Sequence, residues 1–227
     1  MDKINHIRSV FKNAEVFRVF LSKQNIDLEE KHGFTPENTH FSEGGCSDEI
    51  NEHEYLLMEH YWGERFKFGG LGGYCHGGRS GLRAFANHAP QSSNKNLIIL
   101  AGPHIGFHDG EWGKVVRVGH DTPTLSCGSI AAIVSDGYEV IVNKKKEALD
   151  MQQHIVEQLL LPYLADCDKP NILDATKFLM KKIDEDLLNI TEGLKKQFNG
   201  KIVLITGITI NTKQDNYFSN STLEIFN

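Results

Sequence analysis

The sequence predicts an α/β fold in which a central β-sheet is covered by helices. Three observations carry that expectation. "NLIILAG" at 96–102 is a short continuous apolar run, as a strand buried on both faces requires. "KIVLITGITINT" at 201–212 is a second β run. Around them lie segments whose apolar residues recur at helical spacing, so strands alternate with helices. We expect a single main domain over 41–227, preceded by an N-terminal helical segment over 1–40.

Residues 3–24 place Ile4, Ile7, Phe11, Ala14, Phe17 and Leu21 on one helical stripe. The polar stretch "NIDLEEKHGFTPENTH" then reads as a loop. Residues 48–62 read as a helix that Ser47 or Asp48 can cap. "WGERFKFGGLGGYCHGGRSG" is too rich in glycine for regular helix. Its Phe66, Phe68, Leu71 and Tyr74 carry too much apolar area for a floppy linker, so it reads as a folded loop able to line a site. After the 96–102 strand, "GKVVRVG" at 113–119 reads as another. "SCGSIAAIV" at 126–134 suits a closely packed helix N-terminus. Amphipathic helices follow over 145–164 and from Pro170 to Asn199-Gly200, and "STLEIF" reads as a last strand.

The chain has 227 residues, 40% hydrophobic and 24% charged, which is ordinary for a globular protein. Its net charge is −6, and its only basic tract is "NKKKE" at 143–147. That balance argues against nucleic acid as a partner. No apolar run approaches the roughly 20 residues of a membrane helix. The N-terminus has neither a signal-peptide apolar stretch nor an Arg-rich, acid-poor composition, and we expect a cytoplasmic protein. In that compartment Cys46, Cys75, Cys127 and Cys167 are expected to be reduced, which raises metal binding or catalysis for them.

Three positions bear chemistry. Cys46 lies in "GGCSDE", ahead of a helix. His104 follows the strand "NLIILAGP", at the C-terminal sheet edge where α/β proteins build sites. Cys127 lies at a helix start, where the dipole favours a thiolate. Two thiolates and an imidazole make a three-ligand zinc site with one position open. The intervals of 58 and 23 residues are not a zinc-finger pattern. Each residue has a plainer reading: a cysteine packed as a small hydrophobe, a histidine satisfied by a backbone group.

The segments "FGGLGG…GGRSGLRAFANHAP", "GPHIGFHDGEWGKVVRVG" and "TLSCGSIAA", in this order, resemble the limiting-CO2-inducible protein B family. Those are β-type carbonic anhydrases also called theta-class. The resemblance spans about Cys46 to Ala132 and resumes at "GITINT…NYF". It implies a β-carbonic-anhydrase-like fold, a homodimer, and zinc held by Cys46, His104 and Cys127. Two departures from ordinary β-carbonic anhydrases stand out. Their Cys-x-Asp-x-Arg motif has Ile50 at the arginine position here, and their last cysteine follows the histidine by three residues, not 23. Asp48 survives and needs an arginine from elsewhere. Arg79, between the glycines of "GGRSG", is the first candidate, with Arg83 and Arg117 as rivals.

The implied activity is zinc-dependent reversible hydration of carbon dioxide to bicarbonate. Asp48 would orient the nucleophilic water, and the arginine would keep Asp48 off the metal. Phe66, Leu71 and Ile105, with Phe68, Tyr74 and Phe85, are candidates for an apolar substrate wall. His88, His108 and His120 are candidates for proton transfer. Two other readings stand: a thiol hydrolase using Cys127 and His104, and a catalytically silent zinc-binding bicarbonate sensor closed by Asp48.

Overall fold

The computed structural model describes residues 3–89 and 95–227; Pro90, the last residue of the first motif quoted above, lies outside them. Its helices are α1 (Lys3–Val10), α2 (Phe17–His32), α3 (Glu52–Trp62), α4 (Gly78–Asn87), α5 (Gly128–Asn143), α6 (Met151–Ala165) and α7 (Ile172–Lys195). The strands are β1 (Glu15–Val16), β2 (Thr39–Gly45), β3 (Arg65–Lys67), β4 (Asn96–Gly102), β5 (His104–His108), β6 (Glu111–Trp112), β7 (Lys114–Val115), β8 (Thr124–Leu125), β9 (Lys201–Asn211) and β10 (Tyr217–Phe226). The main sheet runs β1-β10-β9-β4-β2-β3. β3, β2, β4 and β9 are parallel, while β10 and β1 are antiparallel to their neighbours.

Side-chain alternation divides the core. Leu97 and Ile99 of β4 and Ile202 and Leu204 of β9 pack with apolar residues of α1, α4, α5, α6 and α7. Ile98, Leu100, Val203 and Ile205 pack with Phe17, Phe20, Leu21 and Leu28 of α2 and Tyr55, Met58 and Trp62 of α3. Successive strand residues point to opposite faces, so continuous apolar runs are what a sheet covered on both sides demands. The segment expected to stand ahead of the main domain, 1–40, thus supplies α2 to this core and β1 to this sheet.

The helix expected over 3–24 is two helices. β1 pairs with β10, and Phe17 N–H donates to Asn216 O at 2.9 Å. Phe11 and Ala14 stay buried through the turn, so the apolar stripe runs on across a break it does not reveal. α2 then extends into the stretch read as a loop, burying Leu28 and Asn25. β2 went unread because "THFSEGG" carries polar residues. Its Ser42 hydroxyl donates to Ile98 O at 3.1 Å, and its Glu43 carboxylate lies 3.1 Å from Arg65. The strand expected at 113–119 is only β7, which pairs with β8 apart from the main sheet, and its remainder is loop.

β4 and β5 behave as one interrupted strand against β9. Ala101 pairs with Thr206 and His104 with Thr209, so the register survives the interruption at Gly102-Pro103. Gly102 has φ 148°, and a Cβ there would fall 1.8 Å from Gly207 O. Only glycine fits that approach. Gly102→Ala is expected to lower stability by roughly 3 kcal/mol or more, a Tm drop of about 6–12 °C, measurable by calorimetry.

Candidate metal centre

The end of β2, the start of β5 and the start of α5 meet at one sheet edge. Cys46 follows β2 directly, His104 opens β5, and Cys127 is the residue before α5. Gly44 and Gly45 allow tight packing behind Cys46: a Cβ on Gly45 would strike the Tyr55 hydroxyl at 1.9 Å. The glycine-rich loop closes on the same edge. Cβ atoms on Gly69 and Gly73 would lie 2.2 Å from the carbonyls of Gly45 and Gly102 respectively.

Cys46, His104 and Cys127 are all buried, at 5%, 1% and 1% exposure. Their ligating atoms lie within 4.8 Å of one another. The two sulfurs are 3.7 Å apart. Two thiolates each about 2.3 Å from a tetrahedral zinc would be separated by about 3.8 Å. His104 Nδ1 donates to Asn211 Oδ1 at 2.7 Å, with Ser126 Oγ 3.2 Å away. That fixes the tautomer and leaves the Nε2 lone pair for a metal. Nε2 is buried without a hydrogen-bond partner, an orphan that a metal would satisfy. The donor set therefore fits zinc.

The amide of Asn211 is itself oriented. Its Nδ2 donates to Asn51 Oδ1 and to Asn216 Oδ1, each at 3.2 Å, and Asn216 Nδ2 donates to Glu54 Oε2 at 2.9 Å. This chain was not legible as a site, although "GITINT…NYF" contains Asn211 and Asn216. The available signal was an asparagine closing an apolar strand, where a fully buried amide needs partners. Asn211→Ala is expected to weaken zinc binding about 10- to 100-fold, read by competition with a chromophoric chelator.

The thiol pair is electrostatically uneven. The Cys46 thiol is pushed far up by its hydrogen bond to Cys127 and by burial, against the pull of His104. Cys127 is lowered by the hydrogen bond from Cys46 and, against burial, by N–H groups of Ile130 and Ser129 at the α5 start. Cys127 is thus the first of the pair to ionise. For His104, burial opposes the charged form, but Cys46, Asp48 and Asn211 raise its pKa overall.

Asp48 lies beside this group, its Oδ2 3.7 Å from His104 Nε2. Its arginine is Arg117. Nη1 donates to Oδ1 at 2.6 Å and Nη2 to Oδ2 at 2.8 Å. Arg117 is held by Thr124 Oγ1 at 3.0 Å and Glu49 Oε1 at 2.8 Å, and Asp48 also accepts from Ile50 N–H at 3.2 Å. Burial opposes ionisation of Asp48, but the Arg117 hydrogen bond and the charge of His104 leave its pKa below the ordinary 3.8. Its pairing therefore contributes fully to stability above that value and is lost as pH falls further.

Arg79, the expected partner, does not reach Asp48. It is exposed on α4 and lines a cleft with Arg83 and Asn189. The glycines around it start a helix instead of carrying it to the site. Arg117 comes from the loop after β7, where the sequence led us to expect strand.

Residues 20–227 match the model of the family described as limiting CO2-inducible proteins B/C beta carbonic anhydrases. The chain belongs to this family. The crystal structure of PtLCIB4, a homolog of the limiting CO2-inducible protein LCIB, superposes with a TM-score of 0.87 at 24% identity, over 98% of this chain and 95% of that one. The structure of LCIB superposes with a TM-score of 0.74 at 20% identity, over 99% and 93%. These likenesses show the shared fold. No curated protein matches the chain.

Within this family member the expected wall residues scatter. Phe66 stacks near Phe85 and His88, with ring centres 5.6 and 5.7 Å away. His88 also meets His40 at 6.4 Å, near the start of β2. Six positions along the strand separate His40 from Cys46, roughly 20 Å, so His88 stands away from the metal ligands, while Phe66 pairs with Ser42, four positions before Cys46 and roughly 13 Å from it. Ile105 is fully buried next to His104 and packs in the same apolar cluster as Cys46, Phe68 and Cys127. Leu71 lies in the glycine-rich turn, tied by its N–H to Gln152 Oε1 at 3.1 Å. Phe68 packs in one apolar cluster with Cys46 and Cys127, and a Cβ on Gly44 would meet its ring at 2.9 Å. His120 is exposed in the Arg117 loop, its N–H donating to Arg117 O at 3.1 Å. His108 lies 3.2 Å from Asp109. All four cysteines are free thiols, and among the described residues no helix is long and apolar enough to cross a membrane.

Proposed function

We propose that the protein hydrates carbon dioxide reversibly to bicarbonate, with zinc held by Cys46, His104 and Cys127 and with Asp48 and Arg117 as the other members of the machinery. The observation that carries this reading is the buried triad, its sulfurs 3.7 Å apart and its His104 Nε2 unpartnered, with a clamped carboxylate alongside. Zinc bound there would supply the Lewis acidity that brings a water's pKa to about 7.

The chain's residues account for the rest. Asp48 is kept ionised, so it can only accept a hydrogen bond, and its position sets the direction from which a nucleophilic water is held. Arg117 occupies both carboxylate oxygens, which keeps Asp48 from turning onto the metal. That clamp favours an open site over the closed sensor. The thiol-hydrolase reading is weaker because the group nearest to Cys127 is a second thiol, which a hydrolase does not need. Carbon dioxide is apolar and requires no charged cradle; Phe68 is the residue best placed to border it.

Exchange of oxygen-18 between labelled bicarbonate and water tests this function. The zinc-loaded protein should accelerate it well beyond buffer, and a rate equal to buffer would remove the enzymatic reading. The homodimer belongs to the same proposal. Val118, Leu125, Tyr138, Val140 and Leu149 are exposed apolar side chains, several of them along or beside α5, and a second copy would cover them. Light scattering should give twice the 25.6 kDa chain mass.

A further inference from the structure

The sheet edge opposite the metal centre holds a cavity of about 560 Å3. It opens where β4 and β9 begin, at Asn96 and Lys201, and where α7 ends, at Lys195. The Lys, Arg, Asp and Glu side chains lining it are three lysines, Lys95, Lys195 and Lys201, and His32 lines it as well. The three lysines are half-buried. Each ammonium meets only neutral groups among the described residues. Lys195 Nζ donates to Gly200 O at 2.8 Å and Lys201 Nζ to His32 O at 2.6 Å. Lys95 Nζ lies 5.1 Å from the centre of the Phe198 ring.

This arrangement is unusual for this chain. Carboxylates outnumber cations 30 to 24, so carboxylate partners for lysine are plentiful elsewhere on the surface. Here three lysines line one space that holds no Asp or Glu side chain, with the terminal residue Asn227 also at its wall. The backbone holds them there: a Cβ on Gly200 would fall 2.0 Å from Lys95 O, so the turn before β9 sits directly on the start of β4. Asn96 and Asn199 line the same space with amide groups. Beyond Lys95 a smaller cleft of about 170 Å3 continues to Arg83 and Gln197.

We propose that this cavity binds a phosphorylated small molecule, its phosphate held among Lys95, Lys195 and Lys201. A phosphate monoester carries up to two negative charges and several acceptor oxygens, which suits three lysines lining one cavity better than a single carboxylate does. The volume exceeds what one phosphate fills and lies in the range of small-molecule sites. The cavity is separate from the metal centre: the length of β4 and the step to His104 lie between them, roughly 25 Å of strand. The proposal therefore stands or falls independently of zinc and of carbon dioxide.

Isothermal titration of the full chain with inorganic phosphate, ribose 5-phosphate and ADP tests it. At least one ester should bind one to one and about tenfold or more tighter than inorganic phosphate, because the remainder of the cavity adds contacts. Combined Lys195→Gln and Lys201→Gln changes should weaken that binding at least tenfold. Those lysines also bond backbone carbonyls, so Lys95→Gln, which frees no carbonyl, gives a second variant with the same expected direction. Lys181→Gln, exposed elsewhere on α7, should change nothing. No heat from either ester at millimolar concentration overturns the proposal. So does inorganic phosphate binding as tightly as the esters, or ester binding undiminished in both the Lys95 variant and the double variant.

Discussion

Arg117→Ala should retain zinc and lose carbon dioxide hydration by about two to three orders of magnitude, the scale on which a preorganised hydrogen-bonding group acts. Arg117 touches neither thiol nor imidazole, so the metal donors stay in place. What it holds is Asp48, through two hydrogen bonds of 2.6 and 2.8 Å. A freed Asp48, already 3.7 Å from His104 Nε2, can swing onto the metal and take the open position. Asp48→Ala should also keep zinc and lose activity, because the carboxylate that orients the nucleophile is gone. The two residues act as one unit, so the double variant should be no worse than Arg117→Ala alone. Arg117→Lys keeps the charge but not the two-pronged geometry and should fall between. Arg79→Ala, exposed on α4, is the control and should hydrate at the normal rate. Stopped-flow rates with zinc measured on each protein decide among these outcomes. Full activity in Asp48→Ala would leave that carboxylate as only the cap it also is, accepting from Ile50 N–H.

Cys46→Ser, His104→Ala and Cys127→Ser should each release zinc. Structural zinc sites contribute about 10–16 kcal/mol, so losing one of a few strong ligands costs several kcal/mol, at least roughly a hundredfold in affinity. Plasma emission spectrometry after dialysis against a chelator reads the result. Stoichiometric zinc in the Cys46 variant would take Cys46 out of the metal site and restore the thiol-hydrolase reading.

The parts of this molecule that its sequence displays are those fixed by local chemistry. β4 and β9 are apolar runs because helices cover both their faces, and α7 shows its buried row at helical spacing with Asn171 capping it. Cys46, His104 and Cys127 were visible because each is an unusual residue at an element boundary. β2 was hidden because its buried Ser42 bonds Ile98 O and its buried Glu43 forms an ion pair with Arg65, partners that adjacent strands bring and the local pattern does not contain. Arg117 was named only as a rival to Arg79, for a related reason. Its distance from Asp48 is 69 residues along the chain, and it arrives only because β7 stops short and its loop folds back over the sheet edge. Glycines favoured Arg79 as a close-approach position, yet in the structure the close approaches are made by Gly69 and Gly73. Asn211 carries no motif that single-residue chemistry announces; its role is set by what lies across the strand.

The central claim is that the Cys46–His104–Cys127 centre makes this chain a zinc-dependent carbonic anhydrase. The most direct measurement is the stopped-flow hydration rate of the protein as purified, after zinc removal, and after zinc is restored, with metal content determined in each state. The account requires one zinc per chain, a catalysed rate that disappears with the metal, and recovery in proportion to zinc returned. Protein carrying one zinc per chain that hydrates carbon dioxide no faster than buffer would contradict it.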